Sequence, residues 1–329
     1  MKALILNRPG PPETLEITNV SIPEPLEGEV RVKIHAVGLN PADYKFMQHG
    51  IRTWSYPFIP GLDAAGTIDA LGKNVMGWNI GDSVYYHGNF SKCGVFAQYA
   101  ITTAHTISPL PENLSFIEAA ALPCAGFTAY QALNQKLNLQ AGQTILIHAG
   151  AGGVGGFALQ LAKIKELEII TTASPVNFEW VRKLGASFVI DYNSEDVVVK
   201  VKEITRQRGV DAIIDTVSSD NATKGFEMLA FGGGIACVNG LPDFSQMQSF
   251  GKALSVHDIA LGGAHISGDY KAQEMLAKIG KDFGDIVSKH KIDPMVSEII
   301  EFEEIPHALT RLSLRKVKGK IVAKVNLMS

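Results

Sequence analysis

Gly150, Gly152 and Gly155 stand in the run Gly150-Ala151-Gly152-Gly153-Val154-Gly155, a G-x-G-x-x-G spacing. Residues of this type at this spacing do anion chemistry. The first glycine allows a tight turn, the second lets backbone approach a pyrophosphate, and the third lets a helix pack closely on a strand. The free N–H groups that open the helix then face the phosphates. In a chain with 32 glycines the spacing alone is weak. Its flanks make it specific. Thr144-Ile145-Leu146-Ile147-His148 is short, apolar and β-branched, as a buried parallel strand should be. Phe157, Leu161 and Ile164 then recur at helical spacing, with Ala158 and Ala162 beside them. Strand, glycine turn and helix together predict a dinucleotide-binding unit.

The elements around this turn alternate. Strands are expected at 144–148, 168–172, 188–191, 211–215 and 234–239, and helices at 153–165, 177–184, 194–206 and 221–230. That order predicts a doubly wound parallel sheet. Val256–Leu261 reads as a further strand and Tyr270–His290 as a long amphipathic helix. Residues 2 to about 122 read differently, as short strands cut by Gly61, Gly66, Gly72, Gly77 and Gly81, among them the alternating stretch from Glu29 to Val37. Such a pattern predicts a small barrel. The end of the chain returns to this style, with strands near 292–296 and 320–325 around a helix at 306–314. The expected division is therefore 1–122 with 291–329 for one domain and 123–290 for the other.

At 329 residues both domains can bury a core. A hydrophobic fraction of 46% and a charged fraction of 19% are those of an ordinary globular protein. A net charge of −3 gives no sign of a nucleic-acid or anionic-membrane partner. Three scattered cysteines, Cys93, Cys124 and Cys237, fit a reducing compartment and not a disulfide scaffold. The apolar start ends at Asn7-Arg8-Pro9-Gly10, too early for a secretory signal, and no apolar run is long enough to span a bilayer. The cytoplasm is the expected location.

Several further motifs carry a resemblance: Gly38-Leu39-Asn40-Pro41-Ala42-Asp43-Tyr44, Pro60-Gly61-Leu62-Asp63-Ala64-Ala65-Gly66, Ala119-Ala120-Ala121-Leu122-Pro123 with Thr128-Ala129-Tyr130, and Leu184-Gly185-Ala186 leading to Val189-Ile190-Asp191-Tyr192. With the glycine turn they span essentially the whole chain. It resembles the zinc-independent medium-chain dehydrogenase/reductases, quinone oxidoreductase-like branch. The resemblance implies an α/β architecture: a GroES-like β-barrel catalytic domain plus a Rossmann doubly wound domain that carries NAD(P)H, with the active site in the cleft between them. It also implies a homodimer, paired edge to edge through the Rossmann sheets.

Zinc-dependent relatives place a cysteine at Asn40 and a His-Glu pair at Leu62-Asp63. A neutral amide and a leucine do not hold Zn²⁺, which wants thiolate and imidazole. Cys124 aligns with a third ligand, but one thiol makes no site, and it reads as a small buried apolar residue. The nine histidines show no ligand spacing; His35 reads as packed, and His87 either borders the cleft or, the favoured reading, faces solvent from a loop. The expected metal content is none.

A NAD enzyme usually carries an acid about 20 residues past the fingerprint. Here Ile169-Ile170-Thr171-Thr172-Ala173-Ser174 stands there, with no carboxylate before Glu179. A fixed carboxylate would repel a 2′-phosphate, so its absence favours NADPH. By position in the family Ser174, Asn177 and Tyr192 would read that phosphate, although Ser174 serves equally as a helix cap. Thr128 would face the nicotinamide and ribose, Gly152, Gly153 and Val154 would lie under the pyrophosphate, and Asn239 and Gly240 would come near the nicotinamide. Lys320 is a further candidate to reach the cofactor, whereas Arg315, Lys316 and Lys318 read as a solvated face.

The chemistry this implies is hydride transfer from NADPH to an electron-poor carbon of a quinone or other α,β-unsaturated carbonyl. Such an acceptor delocalises the charge it gains, so hydrogen bonds suffice where a simple carbonyl would want a Lewis acid. Asn40 would position the nicotinamide or the substrate oxygen. Tyr44 is either a hydrogen-bond donor to that oxygen or an aromatic lining, and Asp43 either joins the chemistry or holds backbone. Two other readings stay open: an acyl-CoA or 2-alkenal reductase on the same scaffold, and a non-catalytic NADPH-binding protein of crystallin-like or regulatory kind.

Overall fold

The computed structural model of the chain describes residues 1–315 and 317–325. Lys316, one of the three expected surface cations, lies outside them. The chain divides into two compact units, Met1–Phe127 with Leu261–Ser329, and Thr128–Ala260.

The first unit opens with an antiparallel pair, β1 (Lys2–Ile5) and β2 (Glu16–Asn19). Its organising strand is β3 (Glu29–Gly38). Val30, Val32 and Ile34 are fully buried on one face of it and alternate with partly exposed Arg31, Lys33 and His35. That period of two commits β3 to a sheet with a single packed face. It pairs antiparallel with β4 (Asp63–Leu71) and with β6 (Tyr99–Thr103); β5 (Ser83–His87) continues beyond β4, and β7 (Ser108–Pro109) beyond β5. The enclosed core includes Leu39, Ile68, Val84, Tyr86 and Phe96.

The second unit is a six-stranded parallel sheet of β8 (Thr144–Ile147), β9 (Glu168–Ala173), β10 (Phe188–Asp191), β11 (Val210–Asp215), β12 (Leu229–Cys237) and β13 (Ser255–Asp258). The spatial order is β10-β9-β8-β11-β12-β13. In chain order this is 3-2-1-4-5-6, so the sheet changes direction between β8 and β11, where ligands of such sheets bind. Leu146, Ile170, Ile190, Ile213 and Ile235 form part of its core. One expected element differs: the last strand stops at Asp258, and Ile259 and Leu261 are buried outside it. Before the sheet, the helical segment after Thr128 contains a widened stretch, Gln131–Lys136, closed by a bond from the Leu137 N–H to the Ala132 carbonyl.

The chain then returns to the first unit. The helix Tyr270–His290, expected from its place in the chain to belong with the nucleotide unit, groups with the barrel instead. The reason is its apolar stripe. Leu276, Ile279, Phe283 and Val287 are buried, Phe283 meets Phe127 edge to face, Tyr85 Oη donates to the Gly280 carbonyl at 2.5 Å, and Ser108 Oγ donates to that of Ala277 at 3.0 Å. Residues 123–127 also lie in this unit, so both ends of the expected 123–290 domain move inward. The strand expected at 292–296 is β14 (Val296–Glu301), which runs parallel to β15 (Lys320–Lys324), and β15 pairs antiparallel with β3. Among the described residues no helix is long and apolar enough to cross a membrane.

Candidate active site

Strand register assembles a polar cluster at one end of the barrel sheet. Gly38, the last residue of β3, lies opposite Val322 of β15 on one side and Asp63, the first residue of β4, on the other; Asp63 in turn lies opposite His87 of β5. Asn40 and Lys320 are each two residues from this row, so four strand ends bring Lys320, Asn40, Asp63 and His87 together. Gly38 is glycine for a packing reason. A Cβ there would sit 2.2 Å from the Ala120 carbonyl. The close approach brings the segment from Ala120 to Cys124 against β4, and the Cys124 N–H donates to Asp63 Oδ1 at 2.9 Å.

Asn40 precedes the helix Pro41–His49, whose proline at the first position fits a helix start. Its backbone N–H donates to Asp43 Oδ2 at 2.7 Å, half of a capping box. Its side chain turns away. Nδ2 donates to Asp63 Oδ2 at 2.8 Å, and Oδ1 accepts from Lys320 Nζ at 2.5 Å. Lys320 Nζ also donates to the Leu39 carbonyl at 3.2 Å and to Asp63 Oδ2 at 3.4 Å. An ammonium has three protons, and here three acceptors face it. Lys320 is only 3% exposed. It is therefore an internal cation of the barrel, with its protons engaged by Leu39, Asn40 and Asp63.

Burial raises the Asp63 carboxyl above its usual range, and Lys320, Asn40 and the Cys124 amide pull it back. Asp43 has less help. Burial and then the Asp63 charge push it up to about 8, so it holds a proton at neutral pH. Oδ2 is taken by Asn40, and Oδ1 is buried without a hydrogen-bond partner. Asp43 also borders a recess of about one water's size beside Phe46, Trp54 and Phe90. Tyr44, next to it on the same helix, is buried.

The cluster holds more metal-ligating chemistry than the linear spacing revealed. One ligand atom each from Asp63, His87 and Cys124 lie within 4.8 Å of one another. His87 is no loop residue facing solvent: it ends β5 and is 4% exposed, which corrects that expectation. Burial, then the Lys320 charge, hold its imidazole down at about 4. Lys320 stands beside this donor set, its Nζ 3.4 Å from Asp63 Oδ2, and burial with Asp63 pushes the Cys124 thiol well up, away from the thiolate that binds metals.

In the second unit the glycine turn follows β8 at the switch point of the sheet. Its left-handed residue is Ala149 (φ 54°), not Gly150. Gly150 is glycine because a Cβ would sit 2.2 Å from Thr171 Oγ1, and Gly155 because a Cβ would sit 2.3 Å from the Ala149 carbonyl. Gly152 is different: its Cβ would meet nothing nearer than 3.4 Å. The protein leaves that side open. Neighbouring strands pin the turn, since Thr172 Oγ1 accepts from the Ala149 N–H at 3.0 Å and Thr216 Oγ1 donates to the His148 carbonyl at 3.2 Å. The helix Gly153–Ile164 makes its first bond from the Gly156 N–H to the Gly152 carbonyl. The N–H groups of Gly153, Val154 and Gly155 precede that bond and have no intrahelical acceptor. A pyrophosphate fits such an open cradle of amides at a helix start.

The other expected cofactor residues fall around this sheet. Register pairs Ala173 of β9 with Asp191 of β10, so Ser174 and Tyr192 leave the sheet side by side, and Asn177 Nδ2 donates to Ser174 Oγ at 3.1 Å. Counting along the chain misses Asp191 here. Its carboxylate is turned into its own loop, accepting from Asn193 and Ser194, which hold it below the usual range. Beyond β12, Asn239 Nδ2 donates to the Val217 carbonyl at 2.7 Å, and Gly240 (φ +115°) lies where a Cβ would strike Ser219 Oγ. Asp215, which no motif flagged, fixes that loop by accepting from the Val217 and Ser218 N–H groups and from Asn221 Nδ2. Thr128 is buried at the start of the unit.

Residues 26–112 match the alcohol dehydrogenase GroES-like domain, and residues 153–280 match the zinc-binding dehydrogenase domain. The chain is 32% identical to human quinone oxidoreductase over 267 residues, which cover 79% of this chain and 80% of the relative. The solved quinone oxidoreductase of Coxiella burnetii superposes with a TM-score of 0.85 at 33% identity, over 99% of each chain. Human synaptic vesicle membrane protein VAT-1 homolog-like superposes with a TM-score of 0.87 at 26% identity, over 100% of this chain and 99% of that one. An open amide cradle on a 3-2-1-4-5-6 sheet, joined to a GroES-like barrel and matched over this length, has one reading at family level: the chain is an oxidoreductase of the medium-chain dehydrogenase/reductase family, in its quinone oxidoreductase-like branch.

Proposed function

We propose that the chain transfers a hydride from NADPH to a quinone or other α,β-unsaturated carbonyl, without zinc. The observation that carries this reading is the Lys320 ammonium, bonded to Asn40 and Asp63 on the lone pairs that a Lewis-acidic metal would require. With that position engaged, the favoured acceptor is one that spreads developing charge through its own conjugation. Two relatives named quinone oxidoreductase support the same substrate class.

In this reading the second unit grips the coenzyme through the Gly152, Gly153 and Val154 backbone, and the reduced nicotinamide supplies the hydride. Thr128, Asn239 and Gly240 line the nicotinamide end. Ser174, Asn177 and Tyr192 offer uncharged hydrogen-bonding groups to a 2′-phosphate, and the Asp191 carboxylate is drawn away from it by its own loop. In the first unit Asn40 is held in one orientation by Asp63 and Lys320. Asp43, protonated at neutral pH, fixes the start of the helix that carries Tyr44, the candidate donor to the reduced oxygen. Strand β13, at the edge of the parallel sheet, is the proposed surface for homodimer pairing.

The test is steady-state oxidation of NADPH and NADH against a panel of quinones and enones. The reading expects turnover with NADPH and a conjugated acceptor, and a higher kcat/KM for NADPH than for NADH. Tight NADPH binding with no turnover on any acceptor would favour a binding protein instead.

A further inference from the structure

We propose that Asp215, at the end of β11, is a positioning residue for hydride transfer: it shapes the turn 215–218, and that turn holds the pyrophosphate cradle and the nicotinamide-end loop in register. The inference rests on the NADPH placement of the reading above.

Strand β11 pairs with β8 on one side and with β12 on the other. β8 leads into the glycine turn, and β12 leads into Asn239 and Gly240, so the end of β11 stands between the two loops assigned to the coenzyme. Its backbone bonds to both neighbours. The His148 N–H donates to the Ile214 carbonyl at 3.1 Å, and the Val238 N–H donates to the Asp215 carbonyl at 2.8 Å. Past the strand end, side chains continue these links. Thr216 Oγ1 donates to the His148 carbonyl at 3.2 Å, and Asn239 Nδ2 donates to the Val217 carbonyl at 2.7 Å. One turn thus touches both loops.

Asp215 decides the shape of that turn. It is 1% exposed. Oδ1 accepts from the Val217 N–H at 2.7 Å and the Ser218 N–H at 3.2 Å, and Oδ2 accepts from Asn221 Nδ2. An aspartate that bonds the amide two residues on curls the chain locally, and here the curl sets where the Val217 carbonyl meets Asn239. The same side chain reaches the glycine turn by charge. Burial lowers the His148 imidazole, and the Asp215 charge opposes that. His148 Nδ1 lies 3.4 Å from Thr172 Oγ1, the oxygen that also takes the N–H of left-handed Ala149. Hydride transfer needs its reacting atoms about 3–3.5 Å apart, and a misplacement of about 1 Å costs on the order of 100-fold. Removing Asp215 loosens the turn but leaves the amides of Gly153 and Val154 in place, so turnover should suffer more than affinity.

The experiment compares wild type with Asp215→Ala, Asp215→Ser and Asp211→Asn. Asp211 is the control. It lies toward the other end of β11, accepting from the Thr144 N–H at 2.8 Å and from Arg208, far along the strand from the coenzyme loops. The readouts are NADPH Kd by fluorescence, kcat with a quinone, the isotope effect on kcat with NADPH dideuterated at C4, and the thermal midpoint. Asp215→Ala is expected to lose about 10- to 100-fold in kcat, with Kd within about 3-fold of wild type and a larger isotope effect. Asp211→Asn is expected to lower the midpoint and leave kcat and the isotope effect unchanged. Should Asp215→Ala not fold, Asp215→Ser, which keeps one acceptor for the turn, carries the test with an expected loss of at least about 5-fold in kcat; failure of both to fold makes the residue structural and overturns the inference. A folded Asp215 variant with kcat within about 2-fold of wild type also overturns it, whatever its midpoint, as does a loss that falls on Kd alone; either leaves the reductase reading standing. Wild type that oxidises NADPH with no acceptor overturns both.

Discussion

Alanine at Gly152 and at Gly155 should have opposite consequences, although the two glycines belong to one motif. At Gly155 the new Cβ would lie 2.3 Å from the Ala149 carbonyl, about 1 Å inside ordinary contact, and that oxygen is backbone that cannot swing away. Helix and turn must separate, which costs about 1–3 kcal/mol, typical of overpacking. In a chain of this size the second unit should then melt several degrees lower. At Gly152 the Cβ meets only the Ala149 carbonyl at 3.4 Å, and the backbone there (φ −80°, ψ 177°) suits any residue. Stability should stay within about 1 kcal/mol of wild type. The methyl instead projects into the space left for a pyrophosphate. Weakening the charge-assisted bonds from the helix amides should cost about 1.5–3 kcal/mol, roughly 10- to 100-fold in NADPH affinity. Fluorescence titration of NADPH and a thermal melt on both variants make the check. A Gly152→Ala protein that binds NADPH like wild type would refute the placement of the pyrophosphate, as would a Gly155→Ala protein of unchanged stability.

Three further outcomes follow from the barrel cluster. Asp63→Ala leaves the buried Lys320 ammonium without its carboxylate and should destabilise the first unit by about 3–5 kcal/mol in urea unfolding, with part recovered in Asp63→Ala/Lys320→Met; strict additivity of the two would contradict the pairing. Asp43 binds its proton more tightly folded than unfolded, so its contribution is present below pH ~4 and is lost as pH rises toward about 8, at up to ~1.4 kcal/mol per pH unit. Buried His87 and His265, held at about 4 and about 3, act oppositely and weaken the fold as pH falls below about 6.5. Between pH 6.5 and 8, above the range of these histidines, Asp43→Asn should therefore flatten the slope of unfolding free energy; an unchanged slope assigns it elsewhere. Tyr44→Phe should lower kcat only a few-fold if a conjugated acceptor needs no strong acid, and a loss beyond roughly 100-fold would instead make Tyr44 the donor.

Local elements were legible because local rules wrote them. The strand–glycine–helix unit at 144–164 declares itself by period and composition, and the alternation after it announces a parallel sheet. What sequence could not show was pairing at a distance. His87 looked like a loop residue because nothing near it in the chain says that β5 sets it opposite Asp63, and Cys124 looked inert until the close approach at Gly38 brought its amide to that carboxylate. Lys320 sits in a motif that invites a cofactor role, yet its three acceptors come from residues more than 250 positions away. The helix Tyr270–His290 follows the last strand of the nucleotide unit, so chain order assigned it there; only its packing on Phe127 and Tyr85 says otherwise. In the glycine turn one duty differs from the motif's, because Ala149 carries the left-handed backbone and Gly150 makes room for Thr171.

The central claim is metal-free reduction of a conjugated acceptor by NADPH. It is tested most directly by turnover of the wild-type protein after exhaustive dialysis against a chelator, with zinc counted in the same sample. The account predicts undiminished NADPH oxidation with a quinone at far less than one zinc per chain. Activity that disappears with the metal and returns in proportion to added zinc would contradict it.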